Sequence, residues 1–178
     1  ARNANVAEII ELTTNGTILN HDFCLKAAKA GLGIINISVN GINAEQYERQ
    51  CGYKMDWEKF VDGIRDLYNH KEGCRVFIKL SDIGYSEDEK RKFLETFGEI
   101  CDQIFIEGIS STLWQDTDVE LKIPKNDKGI YGQEILRKKV CTTIFTTMVI
   151  NSFGQAKLCC SDWKNERIVG DTKNKSVN

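Results

Sequence analysis

Apolar, β-branched runs recur through the first hundred or so positions of the chain, at 8–14 (EIIELTT), 34–40 (IINISVN), 75–82 (RVFIKLSD) and 102–108 (DQIFIEG). Near-continuous apolar runs of this length read as strands buried on both faces, as in a parallel sheet. The segments between them change period from two to about 3.6 and read as helices. Residues 20–31 (NHDFCLKAAKAG) put Phe23, Ala27 and Ala30 on one face and reach Gly31, a natural C-terminal stop. Residues 43–52 (NAEQYERQCG) open with Asn43 and Gln46 at capping spacing. In 56–73, Asp56 is the predicted N-cap, and Trp57, Phe60, Val61, Ile64, Leu67 and Tyr68 form a stripe. Residues 86–101 begin with a capping box, Ser86 with Glu89, and bury Phe93, Leu94, Phe97 and Ile100.

The order is therefore β-α-β-α-α-β-α-β, which favours an α/β fold with about four parallel strands and right-handed crossovers. Each strand starts apolar and ends polar: Thr13-Thr14-Asn15, then Ser38 and Asn40, then Lys79, Ser81 and Asp82, then Glu107. In parallel α/β architectures ligands sit at the carboxyl ends of strands. Four polar ends in succession make a binding rim, although Asn15-Gly16 and Asn40-Gly41 also suit solvated turns.

After Gly108 the periodicity weakens, and 111–140 reads as a long connecting segment holding the only proline, Pro124. A β-hairpin is predicted next: Phe145–Ile150, the turn NSFG, and a return over Gln155–Cys159. The tail carries one short apolar patch, Ile168-Val169.

The composition is that of a globular protein: 178 residues, 41% hydrophobic and 28% charged. A formal charge of -2 argues against nucleic acid or an anionic membrane as a partner held by bulk electrostatics. No run approaches membrane-spanning length, and the N-terminus does not read as a signal peptide. Seven cysteines, an odd number, in a regular α/β pattern read as reduced thiols and a cytoplasmic location. Cys24, Cys51, Cys74 and Cys101 are scattered and read as small core residues. His21 and His70 fall on helices and read as solvated surface residues.

Cys141, Cys159 and Cys160 form a different pattern. Antiparallel pairing across NSFG brings the arms' ends together, with Cys160 immediately following Cys159. Three thiols so placed permit a metal, a cluster or a disulfide; the absence of a C-x-x-C pair weakens zinc.

The chain resembles the radical S-adenosylmethionine (radical SAM) enzymes that carry a C-terminal auxiliary-cluster extension of the SPASM or twitch type. IELTTNGTILN resembles that family's third barrel strand with its TNG turn, and INISVNG the fourth strand. RVFIKLSD and DQIFIEG resemble the fifth and sixth. Cys141, twelve residues, Gly154, four residues and Cys159, continued by CC-x-DW and IVGD, resemble the start of the extension. The family's CxxxCxxC and GGE motifs do not occur in these residues. The resemblance therefore implies an internal piece, itself inactive: residues 1–110 from a partial (β/α) barrel, 111–140 connecting, and 141–178 beginning the extension.

For the parent it implies S-adenosylmethionine and [4Fe–4S] clusters, reductive cleavage to a 5′-deoxyadenosyl radical, and hydrogen abstraction from a peptide or carbohydrate-like substrate. The piece is expected to bind none of these alone. Matched positions put Ser38 and Asn40 near the cofactor ribose, with Thr14 and Asn15 on the same rim. Lys79 and Glu107 are candidates for cofactor or substrate contact. Cys141, Cys159 and Cys160 are implied cluster ligands, and no catalytic residue is assigned. With two strands missing, the Thr13 strand is expected at an exposed edge, open to pairing with a second copy. The alternatives are a non-enzymatic α/β module with a cysteine-held zinc or thiol staple, and an ordinary enzyme of phosphate esters. The latter lacks a glycine-rich phosphate loop.

Overall fold

The structure, a computed structural model, describes residues 7–108, 128–134 and 139–173. The chain forms two compact units, Ala1–Gly108 and Ile109–Asn178.

The first unit runs β1 (Glu11–Thr14), α1 (His21–Ala30), β2 (Ile34–Val39), α2 (Ala44–Cys51), α3 (Trp57–Asn69), β3 (Arg75–Ser81), α4 (Glu87–Phe97), a single 3-10 turn and β4 (Gln103–Glu107). All four strands are parallel and lie in chain order, β1-β2-β3-β4, so the sheet is open, with β1 and β4 at its edges. The helices start where the sequence places their caps. Asn20, Asn43, Asp56 and Ser86 each accept a hydrogen bond from the backbone N–H three residues on. Ser86 and Glu89 complete a reciprocal capping box. The Gln46 side chain instead reaches one residue past its cap, to the Ile42 N–H at 3.1 Å. Gly31 closes α1 in the left-handed region, at φ 74°.

The sheet is buried on one face only. Ile35, Ile37, Val39, Val76, Ile78 and Leu80 are at most 1% exposed and pack with Cys24, Phe60, Ile64, Leu67, Phe93 and Phe97 of the helices. Fully burying a side chain of this size contributes about 1.5–3 kcal/mol, so this layer dominates the unit's stability. The alternate residues, Asn36, Ser38, Phe77, Lys79 and Phe105, are half-buried. The expectation of strands buried on both faces is corrected accordingly: the helices cover one side, and polar residues recur on the other. On that open face Phe77 and Phe105 meet edge to face at 6.2 Å, and Arg75 stacks over Phe77.

Three further expectations change. Leu94 is 44% exposed, because the stripe of α4 turns inward at Phe93 and Phe97. Cys51 is exposed at the end of α2, whereas Cys24, Cys74 and Cys101 are buried. On α1 the fully buried residue is Cys24, and Ala30 faces solvent.

The second unit contains α5 (Thr143–Thr146), β5 (Val149–Ile150), β6 (Gln155–Lys157) and β7 (Ile168–Asp171) in a separate antiparallel sheet of order β5-β6-β7. The hairpin is shorter than expected: Phe145 lies in the helical turn, and only Val149 and Ile150 pair with the returning strand. The Ile168-Val169 patch is not isolated in the tail but starts the third strand. The 111–140 connection lies largely outside the described residues; within it Lys128 and Glu134 form an isolated bridge. No helix among the described residues is long and apolar enough to cross a membrane.

Candidate functional site

Parallel register sets which rim residues share a face. Ser38 lies beside Lys79, Lys79 beside Phe105, and Ser81 beside Glu107. Ser38, Lys79 and Glu107 therefore project together from the open face, toward the ends of β2, β3 and β4. Lys79 and Glu107 form an ion pair at 3.4 Å, with side chains 29% and 14% exposed. Asn36 donates to Glu11 lower on the same face.

Asn40 follows β2, and its side chain hydrogen-bonds the phenol of Tyr47, which is 1% exposed. Burial pushes that phenol's pKa up, with the neighbouring Cys51 adding to the rise against the Asn40 bond. Tyr47 thus stays protonated and anchors the strand's end to α2. Gly41 makes this contact close: a β-carbon there would sit 2.8 Å from the Tyr47 nitrogen.

Thr14 and Asn15 are engaged in the turn itself. The Gly16 N–H donates to Thr14 Oγ1 at 3.1 Å, and Asn15 Oδ1 accepts from the Thr17 N–H and hydroxyl at 3.2 and 2.9 Å. Gly16 has φ 75°, and a β-carbon on it would meet Ile37 at 2.9 Å. The TNG tripeptide is thus an Asx-turn packed onto the core face of β2.

Charged groups beyond β3 are mutually engaged. Lys90 pairs with Asp82 at 2.7 Å and with Glu87 at 3.0 Å, joining the strand's exit to α4. A cavity of about 330 Å³ opens at the opposite end, among Ile9, Gly33, Lys71 and Arg75. That end holds the strands' beginnings, where parallel α/β folds build stability rather than chemistry, so the strand-end rim is the better candidate.

In the second unit Cys141 and Cys160 are exposed and Cys159 is half-buried, each as a thiol rather than in a disulfide. Cys159 sits in a tight turn, with its sulfur accepting the Ser161 N–H at 3.4 Å and its carbonyl accepting the Asp162 N–H at 3.3 Å. Asp162, 2% exposed, organises the approach to β7 by accepting from the Glu166 and Arg167 N–H groups at 3.0 and 2.9 Å. The Arg167 N–H bond leads the effects that hold its carboxyl below the usual aspartate range. The buried Lys157 ammonium donates to the Asp162 carbonyl at 2.7 Å. Among the described residues of this unit, Ala156 is the one buried apolar side chain, while Phe145, Met148, Phe153 and Trp163 are each more than half exposed. Turns and hydrogen bonds, more than buried apolar side chains, hold these described residues.

A further constellation lies outside both regions, and sequence reasoning missed it. His21, at the start of α1, and His70, just past α3, meet at Asp66: their Nδ1 atoms lie 3.0 and 3.1 Å from its carboxylate. The rings meet edge to face at 4.8 Å. Cys24 lies behind them with its thiol hydrogen-bonded to Asp66. Burial first, then the Asp66 charge, pushes that thiol up to about 11. Asp66 and His70 share an i,i+4 spacing at the end of α3, a local signal, but His21 comes from α1, and helical periodicity records only that each histidine faces outward.

No family profile and no curated protein matches the chain. Among solved structures, it is similar to Streptococcus suis SuiB, in a crystal structure bound to precursor peptide SuiA. The TM-score is 0.66 at 12% identity, covering 94% of this chain and 46% of that one. The likeness is one of fold, and the chain spans about half the length of the structure it matches.

Proposed function

We propose that the chain is part of a radical SAM enzyme acting on a peptide, with residues 7–108 contributing a rim of the cofactor and substrate site and residues 139–173 contributing ligands of an auxiliary iron–sulfur cluster. The observation that carries this reading is the likeness of fold over 94% of the chain to SuiB in complex with a precursor peptide, set beside the sequence resemblance to radical SAM enzymes. The neighbour's bound precursor peptide supports a peptide substrate. The Cys141, Gly154 and Cys159 spacing adds an independent sequence signal.

The rim residues fit a hydroxyl-rich cofactor. Ser38 offers a half-buried hydroxyl beside Lys79. The Asn40 amide retains bonding capacity beyond its Tyr47 contact. In this reading Ser38 and Asn40 orient the ribose, and the Thr14–Asn15 turn borders the site. The Lys79–Glu107 pair presents a fixed charge couple to cofactor or substrate. When bound and reduced, the family's clusters and S-adenosylmethionine supply the radical that abstracts a hydrogen atom, and the protein's task is orientation and exclusion of water.

The cysteine turn fits a cluster in two respects. A backbone N–H already points at the Cys159 sulfur, the kind of bond that tunes cluster thiolates. A segment whose described residues bury so little apolar surface gains stability from bound metal. Cys141 and Cys160 are the other two ligands proposed from this chain, three of the four that a [4Fe–4S] cluster takes.

The test is anaerobic reconstitution of the complete protein with iron and sulfide, then reduction with S-adenosylmethionine present. Expected are a brown chromophore, formation of 5′-deoxyadenosine, and lower iron content in Cys159→Ala. A reconstituted protein that remains colourless and iron-free overturns the reading.

A further inference from the structure

We propose that His21, Asp66 and His70 form a binding site for a divalent transition-metal ion of the zinc class, clamping the start of α1 to the end of α3. Among the described residues this is the one group of three or more His, Cys, Asp and Glu whose ligand atoms all lie within 4.8 Å of one another. His21 and His70 are also the only histidines in the chain. Both imidazoles converge on a single carboxylate from separate elements.

The spacing suits a metal. Ligands held by one tetrahedral zinc at about 2.0–2.1 Å stand roughly 3.3 Å apart. His21 Nδ1 lies 3.0 and 3.2 Å from the two Asp66 oxygens, and His70 Nδ1 lies 3.1 Å from the nearer one. The three ligand atoms lie within 4.8 Å of one another, and gathering them on one ion calls for adjustment of side chains that are 59%, 28% and 44% exposed for His21, Asp66 and His70. Two imidazoles and a carboxylate favour zinc, cobalt or nickel over calcium or magnesium, which take all-oxygen shells. Solvent completes the coordination on the outer side, and the buried Cys24 thiol against Asp66 closes the inner side.

One contact competes. His70 Nδ1 also lies 2.9 Å from the Asp66 carbonyl, the bond expected of a plain helix C-cap. A metal-free trio of hydrogen bonds is therefore the opposing reading, and titration separates the two.

The site would act at a distance from the rim. α1 begins six residues after Asn15, and the intervening segment lies against α3, with the Leu19 carbonyl at Gly63. A bound ion would brace the segment that follows the Thr14–Asn15 turn. The proposal stands independently of any iron–sulfur chemistry.

The test uses tag-free protein stripped with a chelator, in a Cys141→Ala/Cys159→Ala/Cys160→Ala background that removes the clustered thiols of the second unit. With two histidines in the chain, side-chain NMR reports the site directly. At one equivalent of zinc both imidazole spin systems are expected to shift together. Cobalt should give visible bands without intense thiolate charge transfer. Zinc should raise the melting temperature in a concentration-dependent way. Loss of outer-sphere partners already weakens metal sites by about 10–100-fold, so His21→Ala is expected to weaken zinc binding by at least about tenfold. Imidazole signals that do not move with zinc, movement of only one, or equal affinity in His21→Ala each overturn the proposal.

Discussion

The carbonyl oxygen of Leu19 stands 2.8 Å from where a β-carbon on Gly63 would lie, so the segment before α1 rests on the bare backbone of α3. Glycine inside a helix costs about 1 kcal/mol relative to alanine. Here alanine would meet fixed backbone, and overpacking of this kind costs about 1–3 kcal/mol. The clash outweighs the propensity gain. Gly63→Ala is expected to lower the urea midpoint, and an unchanged or raised midpoint would show that the segment yields.

The seven thiols should separate by reactivity. Cys51, Cys141 and Cys160 are exposed, Cys159 is half-buried, and Cys24, Cys74 and Cys101 are buried. Burial raises the pKa of each buried thiol, that of Cys24 to about 11, so little attacking thiolate exists at neutral pH. Alkylation of the native, metal-free protein followed by mass spectrometry should label the exposed three first. The buried three should react only on unfolding. Rapid labelling of Cys24 would contradict the packing of α1.

Asp102 should make the first unit acid-sensitive. It pairs with Lys71 and accepts the Val76 N–H at 2.7 Å, bonds that outweigh its partial burial and hold its carboxyl below the usual range. A carboxyl with a lower pKa folded than unfolded stabilises the fold above the unfolded value, about 3.9. That contribution is lost as pH falls through the folded value. Asp102→Asn is expected to be less stable than the parent at neutral pH, with the difference shrinking in acid. Parallel stability curves for the two across that range would remove Asp102 as the cause.

Asp162 should govern the cysteine turn. Its carboxylate holds two backbone N–H groups, at Glu166 and Arg167. In Asp162→Ala those two amides are expected to exchange with solvent faster, while amides of β2 and β3 keep their protection. Unchanged exchange at 166 and 167 would show that the turn holds without the carboxylate.

Local chemistry made much of the first unit readable. Asn20, Asn43, Asp56 and Ser86 announce helix starts because an unpaired N–H must find an oxygen nearby in sequence. The apolar runs announce β2, β3 and β4 for the same local reason. The single covered face was harder to read, since Phe77 and Phe105 look like core residues until the sheet is seen to have helices on one side. Leu94 fits a helical stripe on paper and is nonetheless exposed, because the stripe's centre falls between Phe93 and Phe97. β7 and the Asp162 turn depend on pairings across a loop, and His21 meets His70 only through α1 packing on α3. Such long-range encounters leave no periodic trace.

The Asn15–Gly16 turn bears on how the protein ages. An asparagine followed by glycine ordinarily loses its amide when the next backbone nitrogen attacks the side-chain carbonyl carbon. Here that nitrogen is committed to the Thr14 hydroxyl, and the asparagine oxygen to Thr17. The native fold thus shields a chemically fragile dipeptide, and the conversion to aspartate should proceed chiefly in molecules that have already come apart.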